Sequence, residues 1–112
     1  MGDTAIILSP GQVNSIVLGA ADNEVQRLGL TMSAPARNLL LTKSLPVLNE
    51  LNDKGELEGA RQEIESNTRT LINYVFEEEL KGQRGGQITA NHLNSIFSKF
   101  CEKFPDFRPF CP

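Results

Sequence analysis

Side chains able to do covalent chemistry are few in this sequence. One histidine, His92, and two cysteines, Cys101 and Cys111, are its whole complement of imidazole and thiol. Nucleophilic catalysis needs a cysteine or serine held against a base. His92 and Cys101 stand nine positions apart on what the sequence predicts to be one helix, and at about 100° per residue they face opposite ways. They form no dyad, and a pairing of His92 with Cys111 would need a fold of the chain end that nothing local dictates. A structural zinc site wants four Cys or His ligands, more than the chain holds. The two cysteines could instead close a short disulfide loop, worth roughly 2 to 3 kcal/mol in an oxidising compartment. In a reducing one, Cys101 would serve as a small buried apolar residue and Cys111 as a loose thiol.

The remaining polar motifs are weaker. Gly82-Gln83-Arg84-Gly85-Gly86 lacks the closing Gly-Lys-Ser/Thr and the preceding strand of a phosphate loop, and reads as a flexible connection. Glu77, Glu78 and Glu79 are consecutive, so on a helix they diverge and read as a solvated helix end. The stretches around Gly55 and Gly86 have the skeleton of an EF-hand loop, each glycine preceding an aliphatic by two positions. Their ligand positions fail: one loop would close on Arg61 and the other on His92, where calcium needs a bidentate glutamate. Ordinary helix caps are the reading retained. No cofactor or metal is therefore expected.

Five phenylalanines, Phe97, Phe100, Phe104, Phe107 and Phe110, fall within the last sixteen residues. Phe97, Phe100 and Phe104 keep helical spacing and read as core. Phe107 and Phe110 lie beyond Pro105, on a segment with further prolines at 109 and 112, and are expected on an extended tail. Such a tail could fold back as a lid, or its rings could anchor in a partner's groove. The partner-binding set predicted from the sequence is Phe104, Phe107 and Phe110, with Lys103 and Arg108 as orienting charges. Lys99, Lys103 and Arg108 could also form a small basic patch beside them.

The elements that must position these residues can be read in turn. Ser9-Pro10-Gly11-Gln12 is a helix start, with Ser9 capping, Pro10 at the first helical position, Gln12 closing a capping box and Leu8 and Val13 as a staple. Val13, Val17, Ala21, Val25 and Leu28 follow at helical spacing until Gly29 stops the helix. Gly19 within it suggests a close helix crossing. A second helix runs from near Ser33 to Asn52, central because Leu39, Leu40 and Leu41 cannot share one face, and kinked or broken near Ser44 to Leu45 by Pro46. The third spans about Glu56 to Lys81, a rod of roughly 37 Å that could project at one end. Thr89 caps the fourth, with Ile88 and Leu93 as its staple, and Pro105 ends it. Ala5 to Leu8 is the only strand-like stretch, too short to build a sheet.

The expected fold is all-α: a compact bundle of four to five helices over residues 1–112 as one domain, with an N-terminal lead at 1–8 and a tail at 105–112. A chain of 112 residues suffices for a core without staples. The net charge of −3 and scattered basic residues disfavour nucleic acid. The opening residues lack a basic signal-peptide head, Ile6 stands where a myristoylation motif wants Ser or Thr, and no apolar run approaches a membrane span. A cytoplasmic, non-membrane protein is expected, secretion without a cleaved signal being the other route. With catalytic groups scattered and apolar helical surface plentiful, the functional expectation is a non-enzymatic protein-binding module, an adaptor, chaperone or inhibitor, with a homodimer as one form it could take. The alternatives are a structural subunit self-assembling through Leu71, Val75 and Phe76, a degenerate EF-hand-like protein, or a small enzyme.

Overall fold

The computed structural model describes residues 6–111. The expectations resting on residues 1–5 and Pro112, including the acylation reading at Gly2, the Ala5 end of the strand-like stretch and the last residue of the tail, lie outside them. Within the described residues, four helices form an all-α bundle: α1 at Pro10–Arg27, α2 at Ala34–Asp53, α3 at Leu57–Glu78 and α4 at Ala90–Lys103. Among the described residues, no helix is long and apolar enough to cross a membrane.

Local chemistry explains most of the boundaries. Ser9 and Gln12 make both halves of the capping box of α1, the Gln12 amide donating to Ser9 Oγ at 3.3 Å and the Ser9 amide donating to Gln12 Oε1 at 2.9 Å. The helix closes in a Schellman turn: Leu30 N–H donates to the Val25 carbonyl, Gly29 N–H to that of Gln26, and Gly29 sits at φ 68°. Gly55, at φ 72°, closes α2 by the same pattern, which accounts for the glycine-before-aliphatic spacing as a helix cap. Gly19 makes no close crossing, since a Cβ there would meet nothing within 4 Å.

α2 runs unbroken through Pro46. Pro46 and Thr42, whose carbonyl loses its intrahelical donor, both lie on the exposed side where water can serve that carbonyl. The buried face of α2 is Ala36, Leu40, Ser44, Leu48 and Leu51, and the Ser44 hydroxyl donates to the Leu40 carbonyl at 2.7 Å, so the one hydroxyl in that stripe is satisfied. α3 stops at Glu78, short of the expected Lys81, because Lys81 and Gly82 adopt φ of 55° and 72° and turn the chain.

Two-residue strands, β1 at Thr31–Met32 and β2 at Gln87–Ile88, pair in parallel with Thr31 opposite Gln87 and Met32 opposite Ile88. They join the loop between α1 and α2 to the loop between α3 and α4, so the chain is two helix–strand–helix units clasped at their loops. Ser33 and Thr89, one residue past each strand, cap the helices that follow. The core between the units is mainly aliphatic on α1 and α3, with Val13, Ile16, Val17, Ile64, Leu71, Ile72 and Val75 buried beside the single ring of Phe76. It is aromatic on α4, where Phe97 and Phe100 are buried beside Leu93 and Ile96.

At the other end, Asn52 holds the segment before α1. Leu8 N–H donates to Asn52 Oδ1 at 2.8 Å, and Asn52 Nδ2 donates to the Leu8 carbonyl at 3.0 Å. One side chain thus supplies the donor and acceptor that a neighbouring strand would offer.

The chain end is not extended. Residues after Phe104 run through turns, and Pro109, Phe110 and Cys111 are buried. Prolines exclude helix there but do not dictate an extended path. Three anchors set the course: the Cys101–Cys111 disulfide, a bond from Asn67 Nδ2 to the Arg108 carbonyl at 2.9 Å, and a two-pronged pair of the Arg108 guanidinium with Glu63, both arms at 3.1 Å.

Candidate functional site

The residues singled out at the chain end divide between two places. Phe110, 5 % exposed, stacks on Phe97 at a centroid distance of 6.3 Å and belongs to the core. Lys43 of α2 lies 5.3 Å from the centre of the Phe97 ring. Arg108 is spent on Glu63, and its guanidinium holds that carboxyl below the ordinary carboxylate range. The Lys99, Lys103 and Arg108 cluster is thereby divided: Arg108 turns to α3, while Lys103 lies over aromatic rings.

Phe104 and Phe107 remain half-exposed and stack on each other at 4.7 Å. Phe107 also sets its edge against buried Phe100 at 5.7 Å. The residue that completes this group, Tyr74 of α3, was not among those singled out from the sequence. Its ring meets Phe104 nearly perpendicularly, with centroids 6.3 Å apart and an interplanar angle of 85°. Aromatic pairs favour such edge-to-face contacts.

Around this corner opens a surface groove of about 280 Å³ between α3 and the end of α4, lined by Thr70, Asn73, Tyr74, Glu77, Glu78, Lys103 and Phe104. The α3 contributors fall at positions i, i+3, i+4, i+7 and i+8, so helical geometry alone places them on one face. That spacing is the signal that could have identified them. It runs beside the apolar stripe of Leu71, Ile72 and Val75, rotated toward solvent. Lys103 extends across the groove, its Nζ 5.5 Å from the centre of the Tyr74 ring and 5.8 Å from that of Phe104. An ammonium in that position is attracted by the electron-rich ring faces.

The chemistry-bearing residues are engaged elsewhere. His92 is half-buried at the third position of α4, where Nδ1 accepts from the Thr89 amide at 3.1 Å while the His92 amide donates to Thr89 Oγ1 at 3.3 Å. A histidine thus fills the capping-box position usual for Glu or Gln, with its proton on Nε2. Cys101 and Cys111 are joined in the disulfide, with Cα atoms 5.4 Å apart. Among the described residues, no three His, Cys, Asp or Glu side chains gather as a metal site would require.

The one buried charge among the described residues, Glu24 of α1, is structural. Its carboxylate receives Arg27 Nε at 2.9 Å and also the amide of Asn73 from α3, tying the two helices together. Arg27 above all, with Asn73 and the more distant Arg69, holds its pKa below the ordinary value against the opposing effect of burial. Asn73 therefore has two duties, lining the groove and bonding Glu24.

Comparison with protein-family models, with curated proteins and with solved structures finds no match for this chain.

Proposed function

We propose that this chain is a non-enzymatic protein-binding module that receives a segment of another protein in the groove between α3 and α4. The observation that carries the reading is the aromatic corner of Tyr74 and Phe104, two half-exposed rings that meet edge to face and line a surface groove. Aromatic residues at a concave surface contribute area at little entropic cost and act as anchors for a partner. Of the residues proposed from the sequence, Phe104, Phe107 and Lys103 stay with this surface. Phe110 and Arg108 act through it by fixing the chain end behind Phe107. The groups that catalysis would recruit, His92 and the two cysteines, are committed to a helix cap and a disulfide, which favours binding over enzymatic activity.

Self-assembly has less to recommend it by its original route, because Leu71, Val75 and Phe76 are consumed by the core. The exposed Ile6 and Ile7 are the apolar residues that would serve a homodimer instead. For location, a cytoplasmic setting implies the thiol form, whereas the Cys101–Cys111 bond fits an oxidising compartment. Alkylating the protein as isolated from its native host, with and without reductant, separates the two.

A photo-crosslinking residue placed at Thr70 or Glu78, with Gln62 on the exposed side of α3 as control, tests the groove. Adducts with a host protein from the first two positions and not from Gln62 are expected. Equal adducts from all three, or none, would overturn the reading. An adduct of twice the chain mass would mean self-assembly.

A further inference from the structure

We infer that the groove recognises a cationic side chain, specifically an arginine on the partner segment, and that Lys103 is an internal occupant this arginine displaces. The inference deepens the protein-binding reading and rests on it.

Three features of the groove point to a cation. Tyr74 and Phe104 meet at 85° and so present two faces of a corner, a geometry that surrounds a positive charge better than a single ring does. The chain's own ammonium already lies there, with Lys103 Nζ within 6 Å of both ring centres. No carboxylate of the described residues lies within salt-bridge distance of Lys103, so the rings and not an ion pair hold it over the corner. Finally, Glu77 and Glu78 line the same groove, and its formal charge is −1 with Lys103 included and −2 once Lys103 swings away. Removing the lysine makes the site more receptive to an incoming cation.

Arginine fits this combination better than a second lysine. Its guanidinium is planar, weakly hydrated and able to stack on a ring while donating two parallel hydrogen bonds to a carboxylate. The groove offers both partners, a ring face from Tyr74 and carboxylates from the next turn of α3. Lys103 is exposed and carried on a four-carbon stem at the last position of α4, so its departure breaks no helix hydrogen bond. The arrangement is an intramolecular competitor: the groove is kept covered until a better cation arrives.

The test is a titration of the ¹⁵N-labelled full chain, followed by amide chemical shifts, with N-acetyl-arginine amide and with its neutral isostere N-acetyl-citrulline amide. Saturable shifts confined to Tyr74, Glu77, Glu78 and Phe104 are expected with arginine, and binding about tenfold weaker with citrulline, the loss of a cation–π contact and a charge-assisted hydrogen bond. Lys103→Ala should tighten arginine binding by about threefold, the worth of an exposed cation–π contact removed from the competitor. A gain of affinity cannot arise from misfolding. Tyr74→Leu, which keeps the bulk and removes the π face, should weaken it. Equal binding of arginine and citrulline, no saturable shift, or weaker binding in Lys103→Ala would overturn the inference. If the probe fails while crosslinks from Thr70 and Glu78 still capture a host protein, the cation is wrong and the binding face stands. If the probe binds and those crosslinks fail, the reverse holds.

Discussion

The ring of Phe110 lies on that of Phe97 with planes inclined by only 28°, so the penultimate described residue of the chain closes the core against the fourth helix. The two are thirteen positions apart, separated by the end of α4 and the turns that follow it. The chain end is a fixed part of the bundle, and its aromatic residues differ in duty according to how deeply they are set.

Phe110→Ala should therefore destabilise the protein by about 3 kcal/mol or more, the cost of removing a buried ring and leaving its cavity. For a domain of this size that lowers Tm by on the order of 10 °C. Phe107→Ala, which empties a half-exposed position, should cost less than half as much. Thermal unfolding followed by circular dichroism measures both. Equal, negligible shifts would mean that the chain end contributes nothing to the core.

Opening the Cys101–Cys111 bond releases a loop of sequence separation 10. Chain-entropy arguments give roughly 2 to 3 kcal/mol for a loop of that length. Chemical denaturation with and without reductant should show a lower midpoint in the reduced protein with the far-ultraviolet helix signal kept, because the backbone hydrogen bonds of the four helices do not depend on the bond. Loss of helix on reduction alone would contradict this.

Glu24 predicts an acid dependence. Its folded pKa lies below the ordinary value of 4.5, chiefly through the hydrogen bond from Arg27, so the unfolded chain takes up a proton first as the pH falls. The stabilisation is present in full above about pH 4.5 and is lost as the pH drops through the lower folded value. Glu24→Gln should cost about 1 to 3 kcal/mol at neutral pH, the range for a hydrogen-bonded buried charge. The gap between variant and parent should narrow in acid, which urea titrations at neutral pH and at about pH 3 would reveal.

Two glycines should respond with opposite signs. At Gly29, φ is 68° and an added Cβ would meet Arg84 Nε at 2.9 Å, so Gly29→Ala is expected to destabilise by about 1 to 2 kcal/mol. Arg84→Ala should recover the steric part of that loss and leave the backbone part. Gly19, mid-helix with open space around it, should gain on the order of 0.5 to 1 kcal/mol as Ala. Paired denaturation curves settle both.

What could be read from the chain was whatever is decided locally. Ser9 and Gln12 announce α1 because a capping box needs only residues three apart, and Gly29 announces its end because few other residues tolerate that φ. Ser33 and Thr89 follow the same logic. The strand pair was illegible because two residues carry no periodicity and Thr31 meets Gln87 only once four helices have packed. Pro46 suggested a break because propensity ignores which side of a helix faces water. The chain end misled for a related cause: its course is set by Asn67, Glu63 and Cys101, partners that no local pattern reveals. Of the groove, Phe104 and Lys103 were named for a partner from their place near the chain end, although the helical spacing of Phe104 also read as core. Tyr74 and its neighbours were hidden by the stronger apolar stripe beside them.

The clasp between the loops has a mechanical meaning. Gly85 N–H donates to the Gly29 carbonyl, Thr31 N–H to that of Gly86 and Ser33 N–H to that of Ile88, stitching together loops that would otherwise be free to drift. Both walls of the groove belong to the second unit, and near Lys103 they are tied by the chain end, which the Cys101–Cys111 bond fastens to α4 and Arg108 fastens to Glu63 of α3. A ligand entering the groove therefore meets walls that hold their distance, and the side chains alone must give way.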